Sequence, residues 1–148
     1  MTEPLPWSDS FSVGDAELDA EHRRMQSLIN QACLACDAKQ GDGEPIVLLR
    51  DLESVTAKHF EHEEALLEEL YSGLPSDRQA LREMLAAAKV EHAAEHRKKQ
   101  DELQDISRRV PYCDTAAART KLCEDLTAWF VDHAIADDAS LKTILQSV

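Results

Sequence analysis

His59-Phe60-Glu61-His62-Glu63 is the stretch on which the reading of this chain turns. At roughly 100° per residue, positions four apart on a helix share one face, one turn from each other. His59 and Glu63 therefore set an imidazole and a carboxylate side by side, on a stripe whose other members are Leu49, Leu52, Val55 or Thr56, Leu66 and Leu70. A carboxylate on an inward face is costly unless it is paired or bound to a cation. Three further stretches repeat the pattern: His22 follows Asp19-Ala20-Glu21, His92 and His96 are again four apart, and Asp138 follows His133 by five. Imidazoles and carboxylates on four separate segments suit a first-row metal site between helices.

Working outward, apolar steps of three and four predict helices over about 15–39, 45–71, 76–109 and 115–136. Their stripes run through Leu18, His22, Met25, Ile29 and Cys36; through the His59 stretch; through Leu81, Leu85, Ala88, His92, His96, Lys99, Leu103 and Ile106; and through Leu122, Leu126, Trp129 or Phe130, and His133. Gln40-Gly41-Asp42-Gly43 reads as a turn, Pro45 as a first-turn proline, Ser76 with Gln79 as a capping box, and Asp114 or Thr115 as a helix cap. Residues 1–14, with Pro4, Pro6 and Trp7, read as an extended arm whose indole packs over the core, and 138–147 as a short final helix. The expectation is one all-α domain over 1–148, an up-down-up-down four-helix bundle.

The formal net charge of −13 predicts a surface that repels nucleic acid and anionic lipid. No apolar run approaches the roughly 18 residues of a membrane span, and the first residues lack the basic and apolar regions of a signal peptide. A cytoplasmic location and reduced thiols at Cys33, Cys36, Cys113 and Cys123 follow as expectations. Cys33 and Cys36 can share a helix face and, with the other two, invite a zinc or redox reading; small apolar packing residues are the plainer one.

Five of the six histidines fall on inward stripes. Buried together without a cation, they would leave many ring nitrogens unsatisfied. With Glu63 and either Asp137 or Asp138 they are too many ligands for one tetrahedral zinc, and they match two octahedral-tending ions that share the carboxylates as bridges. A side chain five residues on stands about 140° around an α-helix, so Asp138 can join His133 only if the helix loosens there, for instance into a π-bulge.

These residues resemble the hemerythrin family, in particular its single-domain bacterial members, over nearly the whole chain. The shared pattern is Asp-x-x-His at Asp19–His22, His-Phe-x-x-Glu at His59–Glu63, His-x-x-x-His at His92–His96, and Trp-x-x-x-His-x-x-x-x-Asp at Trp129–Asp138. The resemblance implies a non-haem di-iron centre with an oxo or hydroxo bridge that binds dioxygen reversibly. By that analogy His92, His96 and His133 hold one iron, His22 and His59 the other, and Glu63 and Asp138 bridge. Phe60, Trp129 and Phe130 are the implied pocket wall, with Lys99 where the family usually has a large apolar residue.

Two further departures stand out: a longer interval between Glu63 and His92, and Ala134 where a larger aliphatic residue is common. An oxygen carrier is the first functional expectation. A sensor acting through a protein partner is the second, and a di-iron peroxidase or nitric-oxide-handling enzyme using Glu61, His62 or Lys99 the third.

Overall fold

The computed structural model describes residues 3–37 and 44–148. Within them lie four long helices, α1 (Ala16–Cys36), α2 (Pro45–Gly73), α3 (Gln79–Arg108) and α4 (Ala116–Val131). A π-helical turn at Asp132–Asp137 continues α4, and a short helix, α5 (Ala139–Ser147), follows it. No strand occurs among the described residues, and none of their helices is long and apolar enough to cross a membrane. α1 and α3 each pack on both α2 and α4. The connections over 74–78 and 109–115 are short enough to force antiparallel neighbours, so the helices alternate up and down around one axis.

The ends of the helices follow local chemistry. Asp15 caps α1 by accepting the Leu18 N–H at 2.9 Å, and Thr115 caps α4 by accepting that of Ala118 at 3.1 Å. α2 opens on Pro45, whose missing N–H costs nothing in a first turn. The capping box expected at Ser76 and Gln79 does not form. α2 runs on to Gly73 and leaves only a short stretch for the reversal, closed by the Arg78 N–H on the Pro75 carbonyl at 3.1 Å. Ser76 is consumed in that turn, and α3 starts at Gln79 without a side-chain cap. α1 ends at Cys36 rather than near residue 39, and the turn expected at Gln40–Gly43 lies outside the described residues. α4 stops short of residue 136 because its last turn is π-helical.

The apolar stripes close into two cores. One contains Met25, Ile29, Leu49, Leu52, Leu103, Leu122, Leu126 and Phe130. The other contains Val13, Leu18, Leu67, Leu81, Leu85, Leu141 and Ile144. The extra length between Glu63 and His92 goes into this second core, where Leu67, Leu81 and Leu85 meet α5. Along α1, α2 and α3, the buried histidines fall between the residues of one core and those of the other, and His133 follows the first-core residues of α4.

The N-terminal arm lies on α1. Leu5 exchanges hydrogen bonds with Asn30, its N–H to Oδ1 at 2.8 Å and its carbonyl from Nδ2 at 2.9 Å, and Gln26 Nε2 adds a third at 2.7 Å. Trp7 packs edge-on to Phe11 with the Arg23 guanidinium 4.0 Å above its ring. The arm enters α1 through Gly14, whose φ of +91° is a conformation that side-chain-bearing residues rarely adopt. No atom lies within 4 Å of where a Cβ would stand, so Gly14→Ala meets a purely conformational penalty. It should lower stability by about 1 kcal/mol in chemical denaturation; an unchanged midpoint would show that the arm can enter the helix another way.

Candidate metal centre

Seven side chains meet in the layer between the two cores. α1 brings His22, α2 His59 and Glu63, α3 His92 and His96, the π turn His133, and the residue after it Asp138; none is more than 2% exposed. The π turn makes the last of these possible. It bonds the Asp138 N–H to the His133 carbonyl at 3.1 Å, and this wider closure keeps two residues five apart on one face. Asp138 Oδ2 then lies 3.2 Å from both His22 Nε2 and His133 Nε2. Asp137 stays half-buried outside, with Oδ2 3.7 Å from His133 Nδ1, the far side of that ring.

Each carboxylate faces two ways. Glu63 Oε1 lies 3.2 Å from His59 Nε2, and its Oε2 2.7 Å from His96 Nε2. Asp138 turns Oδ2 toward His22 and Oδ1 toward His92, whose Nδ1 is 4.0 Å away. The imidazoles thus divide into a His22–His59 side and a His92–His96 side, with a carboxylate oxygen aimed at each. His133 stands closer to the first side, its Nε2 3.3 Å from His59 Nε2 and 3.5 Å from Glu63 Oε1. This placement differs from the family-based grouping of His133 with His92 and His96. It has an electrostatic cause: the ring is drawn to the two carboxylate oxygens that serve the His22–His59 side.

The outward nitrogens are what suit these rings to a cation. A metal-bound histidine nearly always donates from its other nitrogen to a carbonyl or carboxylate, which fixes ring and tautomer. His22 Nδ1 donates to the Phe11 carbonyl at 2.7 Å, His59 Nδ1 to Glu21 Oε1 at 3.0 Å, and His96 Nδ1 to Glu64 Oε2 at 3.1 Å. Such acceptors cannot donate, so each Nδ1 carries a proton, which leaves Nε2 as the nitrogen that can face a cation. His92 is turned the other way, with Nε2 3.2 Å from Ser140 Oγ. Inside, His22 Nε2, Glu63 Oε1, His92 Nδ1 and both Asp138 oxygens have no hydrogen-bond partner. Buried polar atoms are normally paired, and this set of imidazole nitrogens and carboxylate oxygens is one that a first-row divalent cation takes. Two groups of converging ligand atoms result, His22–His59–Glu63–His133–Asp138 and Glu63–His92–His96, with Glu63 common to both.

Without a cation the charges distribute themselves in a definite way. Burial works against an imidazolium at His133, but Asp138 and Glu63 outweigh it and hold the ring well above the usual histidine range. Burial is likewise overcome at His59, by Glu21 and Glu63. The burial that would raise Glu63 is overridden by His133, His59 and His96, which pull it well below the usual carboxylate range. At His92 burial prevails and the pKa falls.

The aromatic neighbours divide. Phe60 stacks parallel on His96 with centroids 4.0 Å apart and lies 4.9 Å from His133. Phe130 stands edge-on to His22 at 5.8 Å. Trp129 and Lys99, expected beside them as wall residues, instead clasp α4 to α3. The indole N–H donates to the Lys99 carbonyl at 2.9 Å and Lys99 Nζ to the Trp129 carbonyl at 3.3 Å. The lysine stem is buried while its ammonium reaches Asp132 at 3.5 Å and Glu102 at 3.6 Å. A buried stem with its head at an acidic rim satisfies both parts of the side chain.

Sequence reasoning missed Phe11, Glu21, Glu64 and Ser140, the partners of the outward nitrogens. It also missed Glu95, whose carboxyl is pushed up to about 7 by burial and by Asp137 and Glu91. Glu21 and Glu64 had one available signal, a carboxylate directly beside a proposed ligand. Nothing local marks a backbone carbonyl such as that of Phe11. Asp19, part of the motif, is no ligand here: it accepts the Val13 N–H at 2.8 Å and the Ser12 hydroxyl at 2.5 Å. It thereby holds the arm whose Phe11 carbonyl orients His22. His62, one of the acid–base groups of the enzyme reading, is exposed and bonds to Glu21.

Comparison with known proteins adds an independent line. The family description "Hemerythrin HHE cation binding domain" matches residues 13–145. A myohemerythrin from Riftia pachyptila is 35% identical over 88 residues, which cover 58% of this chain and 67% of that protein. No solved structure matches the chain significantly.

Because Asp138 and Glu63 raise the proton affinity of His133, and Glu21 and Glu63 that of His59, a cation competes with protons for these rings. Uptake of iron(II) near neutral pH should release about one proton or more per chain and weaken as pH falls, up to tenfold per unit for each proton displaced. Calorimetric titration in two buffers of different ionisation enthalpy measures this, and no proton release would contradict the charge distribution described above.

Proposed function

We propose that this chain, which belongs to the hemerythrin HHE cation-binding domain family, holds two iron ions and binds dioxygen reversibly, to carry, store or deliver it. The observation that carries this reading is the two-way aim of Glu63 and Asp138, each with one oxygen toward the His22–His59 side and one toward the His92–His96 side. Carboxylates so placed are natural bridges between two cations, which an oxo or hydroxo group would further join. Iron held by these residues would supply the electrons that reversible binding of dioxygen requires.

The protein's own residues set the conditions. Five imidazoles divide three and two between two positions, whichever takes His133, so one position keeps room for a further ligand. Glu21, Glu64 and the Phe11 carbonyl fix the rings that they touch, so the site is shaped before any ligand arrives. Phe60 and Phe130 cover the imidazoles with apolar surface and keep water from them. The ammonium of Lys99 is engaged at the acidic rim and is not spent as a proton donor toward the centre. A ligand set rich in imidazole and poor in carboxylate supports reversible binding over oxidative turnover; this rests on analogy within the family.

The decisive experiment is visible spectroscopy of the iron-loaded protein cycled between anaerobic buffer and air, with metal analysis. The expected result is two irons per chain and a charge-transfer band that appears with oxygen and disappears on its removal. Fewer than two metals per chain would end the di-iron reading. A band that does not reverse, accompanied by turnover of peroxide, would replace the carrier with an enzyme.

A further inference from the structure

A second group of donor atoms stands at the surface, one layer outside His59. Glu17 and Glu21 lie one turn apart on α1, and His62 meets them from α2. His62 Nδ1 is 3.6 Å from Glu17 Oε1 and donates a hydrogen bond to Glu21 Oε2. One atom from each of the three side chains lies within 4.8 Å of the other two. Access falls from the outside inward: the Glu17 side chain is 72% exposed, that of His62 46% and that of Glu21 17%. Glu21 is held from behind, since its Oε1 accepts from His59 Nδ1 at 3.0 Å.

The charge at this place is unbalanced. Carboxylates four residues apart on a helix repel each other. Among the described residues, neither Glu17 nor Glu21 forms an ion pair with a lysine or arginine. An imidazole brings at most one positive charge against their two negative ones. The donors are nitrogen as well as oxygen and come from two helices, which sets the group apart from an ordinary run of surface acids.

We propose that Glu17, Glu21 and His62 bind a divalent first-row cation at the surface, separate from the buried centre. His62 then carries its proton on Nε2 and presents the Nδ1 lone pair to the ion. The two carboxylates balance the charge of the ion, and water fills its remaining positions. One imidazole with two carboxylates suits manganese(II), iron(II) or zinc.

The test is equilibrium dialysis of the full chain against manganese(II), followed by metal analysis. Manganese(II) favours oxygen donors and leaves the four thiols alone. Wild-type protein should hold one more ion per chain than His62→Ala. Glu17→Gln should lose the same ion or weaken it about tenfold or more, because one charge and one donor are gone. Glu17 and His62 are exposed, so neither substitution threatens the fold. Glu69→Gln, at an exposed carboxylate further along α2, should keep the ion. The count is a difference between chains, so it reads the surface site whether the buried centre fills or stays empty. Equal manganese in wild type and His62→Ala would overturn the proposal. So would loss in His62→Ala with full retention in Glu17→Gln, which would place the effect at Glu21 and the centre behind it. Equal loss in Glu69→Gln would also overturn it, by assigning the ion to diffuse surface charge.

Discussion

Two carboxylates are buried at the middle of a helical bundle, and the remaining structure answers to that burden. A lone ionised carboxylate in such a place is disfavoured by several kcal/mol. Glu63 and Asp138 are tolerated because imidazoles surround them on every side that the helices offer. Three of those imidazoles, His22, His59 and His96, are in turn held by acceptors one layer further out. The polar layer is therefore a nested arrangement, with each shell making the one inside it affordable.

That nesting explains features that look unrelated along the chain. Asp19 belongs to the family motif although it touches no other motif residue among its hydrogen bonds. Its task is to hold the arm, which delivers the Phe11 carbonyl to His22. Phe11 also packs its ring on Phe130, which covers His22 from the other side. Arm, α1 and α4 are thus tied together around a single imidazole. Glu21 does the same for α1 and α2, accepting from His59 inside and His62 outside.

Much of this was legible in the order of residues, for physical reasons. The helical period marks buried positions regardless of their chemistry, so histidines and Glu63 on apolar stripes announced themselves. The residues left Asp137 and Asp138 open; the family resemblance chose Asp138, whose five-residue step from His133 requires a widened turn, and the π turn at Asp132–Asp137 is there. What escaped was of another kind. The partners of the outward nitrogens are set by which helices lie next to each other, and a backbone carbonyl leaves no mark in a sequence. Ser76 and Gln79 had the right spacing for a cap, but the run-on of α2 to Gly73 took the chain they needed. Lys99 sat on an inward stripe, yet its length let the charge escape to the rim.

The division of the apolar interior has a thermodynamic consequence. One core lies on each side of the histidine layer, and the long helices are the main links between them. Before cations arrive, that layer contains like-charged and unpaired groups, so each half of the bundle can open with limited regard for the other. Once the layer is knit together by shared ligands, the halves become a single cooperative unit. Filling the centre should therefore change the shape of the melting transition, sharpening it as well as moving it upward.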